Sequence, residues 1–266
     1  MGEGATPPLL FIATLLLVAI AAPGCSNKAA ETELSAGFQS LEQKHYDRAI
    51  AQADAFLAKE PTGAGSAEAL YLRGRAFEGK TAANPHEAKA NLQSARSSYV
   101  EALNRKPPTQ LEARIRSSLA NVAYFQDDYA TALTQWQAAL PRMENADTRA
   151  WTIYRIGLCQ QRLGQFEQAD QTFAAVQKQQ PGTEPARRAA QHAGARSFFV
   201  QLATFKSAAN ADQASAALRR EGVEPVREAN AQGFQLLRVG PVKSYAQAVS
   251  LKTKYADRYP DAIILP

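Results

Sequence analysis

Cysteine and histidine are scarce, and the catalytic signatures built on them are missing. Only two cysteines and three histidines occur in 266 residues. His45, His86 and His192 lie far apart, with no His-x-x-x-His, Glu-x-x-His or Cys-x-x-Cys spacing, so no metal site is expected. Cys159 stands beside Leu158 in a helical stretch and reads as a small core residue that avoids disulfide chemistry. Gly-x-Ser-x-Gly, a Walker loop and a Rossmann fingerprint are all absent, which removes the commonest hydrolase, nucleotide and dinucleotide chemistries. No catalytic residue and no cofactor is therefore expected. Long hydrophobic runs are lacking too, with one exception. Leu9 to Ala22 is almost unbroken, of signal-peptide length and too short for a comfortable membrane span.

That run ends in Ala22-Pro23-Gly24-Cys25. Gly24-Cys25 resembles the end of a bacterial lipoprotein signal, where a small residue precedes the cysteine whose thiol is lipidated before cleavage. The resemblance implies a leader over 1–24, lipidation at Cys25 and a short tether over 25–32. Ser26 is not the Asp that favours inner-membrane retention, so a Gram-negative cell would carry the protein on its outer membrane, facing the periplasm. The same residues fit an ordinary secretory signal with an incidental cysteine, which gives a secreted periplasmic protein. Both readings leave the cytoplasm. With Cys25 acylated, Cys159 has no partner for a bridge within the chain.

What the middle of the chain does have is a repeat. Tyr46-x-x-Ala49 with Pro61, Ala95-x-x-x-Tyr99-x-x-Ala102 with Pro107, Tyr129-x-x-Ala132-x-x-x-Trp136-x-x-Ala139, and Phe166-x-x-Ala169-x-x-x-Phe173 with Pro181 recur roughly every 40 residues. Small residues precede each unit at Ala36-Gly37, Arg73-Gly74, Leu119-Ala120 and Ile156-Gly157. The pattern resembles the tetratricopeptide repeat, in which one helix offers a small residue and the next packs alanine and an aromatic. Tyr154 to Phe166 is the best copy. Four copies are expected over 33–190, the second carrying an insertion around Thr81 to Ala88 that lengthens its turn. Each helix pair has an apolar face it cannot bury alone, so neighbours stack into an all-α solenoid with a concave groove. Such a groove suits an extended segment of a protein partner. Arg114, Asn121 and Arg155 are candidate groove residues, each also readable as a plain solvated helix residue, while Trp136 and Trp151 sit at packing positions and read as core.

The last seventy residues contain one unit twice. Phe199 to Ser207 aligns with Leu236 to Ser244, an apolar strand running into a Lys-Ser turn, and Ala209, Ala211, Ala214 and Leu218 align with Ala246, Ala248, Leu251 and Tyr255 at helical spacing. Ser207 and Ser244 stand at N-cap positions, and Gln247 completes a capping-box pattern. A β-prone stretch follows each helix, Val223 to Arg227 and Ala262 to Leu265, so the expected order is βαββαβ, a ferredoxin-like or RNP-like α+β domain over 197–266 behind a linker at 191–196. Gln191 to Ala195 fits either the last turn of a capping helix or a joint. Val200, Leu202, Leu237 and Val239 are expected on the helix-covered face. Phe199, Gln201 and Ala203 would then lie beside Phe234, Leu236 and Arg238 on an open face suited to a sugar or peptide.

Phe-Val-Gln-Leu-Ala-Thr-Phe at 199–205 and Arg-Val-Gly-Pro-Val at 238–242 resemble the paired motifs of the SPOR (sporulation-related repeat) domain. That family binds peptidoglycan, prefers glycan strands stripped of peptides, and occurs on cell-division and envelope proteins. The resemblance implies a glycan site of Gln201, Thr204 and Phe234, and Arg238, Phe199, Leu236 and Ile263 are the further candidate glycan-binding residues. Leu236 departs from the family, many members having Arg four residues before the glycine. From Arg196 onward ten Lys or Arg stand against six Asp or Glu, leaving +4 of the chain's +5, which could favour anionic envelope polymers. Nucleic acid is not an expected partner, because the RNP1 aromatics are missing and the leader directs the domain away from RNA. The whole reads as a multidomain, non-catalytic envelope adaptor. It would bind peptidoglycan through the terminal domain, a protein through the groove and the membrane through its lipid. The alternative is a protein-interaction scaffold, or a regulator of a wall hydrolase or division complex, without glycan binding.

Overall fold

The computed structural model describes the backbone of residues 23–266 and side chains from Thr32 onward. Most of the expected leader and the Cys25 side chain lie outside the described residues. Nine helices come first among them: α1 Pro23–Glu42, α2 Tyr46–Lys59, α3 Ser66–Gly79, α4 Pro85–Asn104, α5 Thr109–Phe125, α6 Tyr129–Ala139, α7 Ala146–Arg162, α8 Phe166–Gln179 and α9 Glu184–His192. They pair as four helical hairpins with α9 closing the stack. Residues 25–32, expected as a tether, are helical within α1. No helix among the described residues is long and apolar enough to cross a membrane.

Three of the four hairpins close around a small residue on their first helix. A Cβ added at Gly74 would stand 2.4 Å from the Tyr99 ring, and one at Gly157 equally close to the Phe173 ring. Both aromatics come from the second helix of the same repeat and are fully buried. Ala120 joins Trp136 in the third repeat, whereas Gly37 in the first admits Leu72 from the next repeat. Ala49, Ala132 and Ala169 are buried in the first turn of their helices and Ala95 midway along α4, so the repeating alanines let the paired backbones approach. The turns repeat as well. Lys44, Asp127 and Gly164 each stand two residues before Tyr46, Tyr129 or Phe166, with φ of 60°, 60° and 78°. Only the glycine takes that left-handed backbone without a Cβ penalty. The second repeat replaces this turn with the expected insertion, and Asn84 Oδ1 accepts the Glu87 amide at 3.0 Å to start α4.

Cys159 is fully buried, and burial pushes its thiol up to about 12, which keeps it protonated and unreactive. Gln191 and His192 form the last residues of α9, so this part of the undecided 191–195 segment is helical. His192 packs against Tyr154 and Phe173, and Gln161 donates to its carbonyl at 3.0 Å. Burial lowers its pKa, with Arg162 and Arg188 adding to the effect. The folded state therefore holds the neutral ring while the unfolded chain protonates near pH 6.5. This contribution is complete above that pH and is lost as the pH falls toward the depressed folded value. The melting temperature should drop between about pH 6.5 and 5 by more in the wild type than in His192→Gln; equal slopes would remove His192 as the cause.

The terminal domain comprises β1 Phe198–Phe205, α10 Ala208–Arg220, β2 Val226–Ala229, β3 Gln235–Val242, α11 Tyr245–Lys254 and β4 Ile263–Leu265. Its sheet has the order β2-β3-β1-β4, antiparallel throughout. β2 starts three residues later than its β-prone stretch, because the Val223 amide caps α10 through the Leu218 carbonyl and Pro225 has no N–H to pair. The Ser244–Gln247 capping box forms as expected, while Ser207 caps α10 without a side-chain bond. Phe198, Val200, Leu202, Leu237 and Val239 are buried with Leu218, Ala248 and Tyr255.

This domain is docked on the solenoid. The Arg162 guanidinium lies 4.6 Å from the Tyr124 ring, 4.7 Å from Tyr129 and 4.8 Å from Tyr245. Tyr245 also meets Tyr129 edge-on at 5.4 Å and Phe198 at 5.6 Å, and Phe198 meets Phe166 at 5.7 Å. In the first repeat the corresponding Tyr46 packs on Gly79, at the end of the next repeat's first helix. At the last repeat β1 supplies Phe198 to the corresponding Phe166, so the sheet domain adds to the cap that α9 places on the stack. The connection is fastened too. Asp170 accepts the Gly194 amide and pairs with Arg196, both at 2.8 Å, and these contacts hold its carboxyl below the usual range.

Candidate functional site

The open sheet face is built by cross-strand register. Gln201 stands opposite Arg238 on one side and Ile263 on the other, Thr204 opposite Leu236, and Phe199 opposite Leu265. Simple alternation would send Thr204 to the buried face with Leu202. A bulge prevents this, because Leu202 and Ala203 together oppose Leu237 and the register then shifts by one. Thr204 is exposed and its hydroxyl accepts from Gln201 Nε2 at 3.4 Å. Ala203, expected on the open face, is instead in register with the buried Leu237. The bulge moves one residue off the face and brings another onto it.

Three strands share one polar chain. Arg238 Nε donates to Gln201 Oε1 at 3.3 Å, and its η1 nitrogen donates to Glu228 Oε2 at 2.8 Å. Glu228 was not among the expected site residues. It pairs with Leu236 and therefore lies on the open face, as does Val226 opposite Arg238. The signal was present in Val226-x-Glu228, but using it needed the register of an edge strand. Apolar side chains frame the polar chain, with Phe199 and Leu236 half-buried and Ile263 47% exposed. Gly240, at φ 129°, lets the Phe199 ring lie close, since a Cβ there would stand 3.1 Å from that ring and 2.9 Å from the Phe198 carbonyl oxygen. Phe234 opens the strand, its amide and carbonyl both bonded to Asn230 at 2.9 Å. A face of amide, hydroxyl and guanidinium groups beside a half-buried ring can bind the hydroxyls and acetamido groups of a sugar chain while stacking on its apolar side.

The solenoid offers a second surface. A cavity of about 500 Å³ is lined by Phe38 of α1, Tyr71 and Arg75 of α3 and Arg114 of α5. Arg75 donates to the Tyr71 hydroxyl at 3.1 Å, and the Arg114 guanidinium lies 5.1 Å from the same ring. Arg114 also lines a neighbouring cavity with Met143 and Thr148, so the two open onto one stretch of groove. Asn121 and Arg155 are joined by a 3.1 Å hydrogen bond and do not line these cavities. Trp136 is buried, and the half-buried Trp151 packs within the fourth repeat under Arg188.

Comparison with known proteins assigns both regions. Residues 194–266 match the SPOR domain, and residues 151–183 match the tetratricopeptide repeat. The chain thus has a tetratricopeptide region followed by a C-terminal SPOR domain, modules that are typically non-catalytic, and the SPOR domain implies a cell-envelope location. No curated protein matches the chain. Among solved structures, YrrB, described as a TPR protein with an unusual peptide-binding site, is 21% identical. That match covers 63% of this chain and 80% of YrrB, at a TM-score of 0.49. A MamA structure is 16% identical over 90% of this chain and all of its own (TM-score 0.49). Pseudomonas aeruginosa pilF is 15% identical over 88% and 94% (TM-score 0.45).

Proposed function

We propose that this protein is an envelope adaptor whose SPOR domain docks on the glycan strands of peptidoglycan while its solenoid groove holds an extended segment of a partner protein. The observation that carries this reading is the chain Glu228–Arg238–Gln201–Thr204 across three strands of an uncovered sheet face. Lipid at Cys25 would anchor the other end in the outer membrane, facing the periplasm, and raise the concentration of the SPOR domain near the wall so that modest affinities suffice. Without lipidation the same adaptor would be a secreted periplasmic protein. No step of catalysis is assigned to either region.

Co-sedimentation of the full chain with purified sacculi tests the glycan role. Gln201→Ala and Arg238→Ala should each weaken binding by about tenfold, the worth of one hydrogen bond involving a charged group, with the circular dichroism spectrum unchanged. Wild-type protein that stays in the supernatant would contradict the proposal. It would favour the second reading, a scaffold or wall-hydrolase regulator, for which the apolar Leu236 on the open face is the supporting observation.

A further inference from the structure

Arg238 is the cation at the centre of the open face, and it is only loosely committed. Its side chain is 25% exposed, so the strands around it fix its place, but its carboxylate partner Glu228 is 59% exposed. An exposed ion pair of this kind contributes little and exchanges readily with another carboxylate. The guanidinium meets Gln201 and Glu228 through Nε and the η1 nitrogen, leaving further N–H donors for a ligand. A half-buried arginine fork beside Gln201 and Thr204 is a receptor for a carboxylate that arrives flanked by hydroxyl and acetamido groups.

Resting on the glycan reading above, we propose that Arg238 binds the lactyl carboxylate of a muramic acid residue and that Glu228 occupies its place in the free protein. A glycan strand has no other ionisable group. While the stem peptide is attached, that carboxyl is tied up as the amide to the first amino acid and carries no charge. Hydrolysis of the amide releases it as a carboxylate at envelope pH. Recognition by Arg238 therefore selects stripped strands on chemical grounds, by a charge that appears only after the peptide has gone. On binding, one carboxylate replaces another at the guanidinium, and Glu228 swings into solvent as the ligand enters.

The test uses the full chain and soluble glycan strands in three forms: stripped, stripped with the lactyl carboxyl converted to its methylamide, and with stem peptides intact. Stripped strands should bind about tenfold more tightly than the methylamide, and Arg238→Gln should abolish that difference while leaving residual binding equal for both. Glu228→Gln, at an exposed position that does not threaten folding, should strengthen binding of stripped strands by roughly threefold or more and leave the methylamide unaffected, since the competing charge is gone. Equal affinity for free acid and methylamide would overturn the carboxylate assignment while glycan binding itself stood. Loss of affinity in Glu228→Gln would overturn the competition and make Glu228 a positioning residue for Arg238. Failure of all three forms to bind wild type would remove the glycan reading along with this inference.

Discussion

Gly157→Val should destabilise the solenoid by about 3 kcal/mol, at the upper end of what over-packing costs. The clash has nowhere to go. Phe173 is fully buried, its ring held between Tyr154 at 6.1 Å and His192 at 5.9 Å, so the 2.4 Å approach of a new Cβ cannot be relieved by a rotamer change. Two effects oppose one another even in Gly157→Ala, because alanine favours the helix by about 1 kcal/mol. Valine adds bulk and gives up that advantage. Thermal unfolding should fall by roughly 6–12 °C for a chain of this size. Gly164→Ala is the control. Its φ is 78° with nothing within 4 Å, so the cost there is backbone strain alone, about 1–2 kcal/mol. A Gly157→Val protein as stable as wild type would mean that the fourth repeat does not close around this residue.

Arg162→Ala should release the SPOR domain from the solenoid without unfolding either. One guanidinium serves three tyrosine rings in a partly desolvated site, and its removal should weaken the interface by about 2 kcal/mol. Tyr129 is buried, and Tyr124 and Tyr245 are half-buried. Burial pushes the Tyr124 hydroxyl up to about 12 and raises Tyr129 as well, the latter also donating to Asp127. A 2 kcal/mol loss multiplies the undocked fraction about thirtyfold. Proteolytic cleavage in the connection around Ala193–Ser197 should accelerate by a similar factor, and a single thermal transition should split into two. Arg162→Lys should fall between, since an ammonium keeps the charge but not the planar stack. Unchanged cleavage in Arg162→Ala would show that the aromatic contacts of Phe166, Phe198 and Tyr245 hold the domains unaided.

Local devices were legible in the sequence, and long-range ones were not. The alternating small and aromatic residues announced the repeats because each pair acts within one helical hairpin, as Gly74 with Tyr99 and Gly157 with Phe173. Ser244 and Gln247 announced a helix start for the same reason. The faces of β1 followed from alternation up to Leu202 and failed at Ala203, where the bulge is set by pairing with a strand more than thirty residues away. Glu228 was invisible for lack of that register, and nothing in the sequence singled out Arg162, whose contact with Tyr245 comes from another domain. Contacts of that kind depend on assembly rather than on any one element's pattern.

Chemical-shift mapping of the full chain titrated with soluble stripped glycan strands would locate the glycan site residue by residue. Perturbations should gather at Phe199, Gln201, Thr204, Phe234, Leu236, Arg238 and Ile263, with the outer surfaces of α10 and α11 silent. Perturbations centred on those helices or on the solenoid, with the open face unmoved, would contradict that placement.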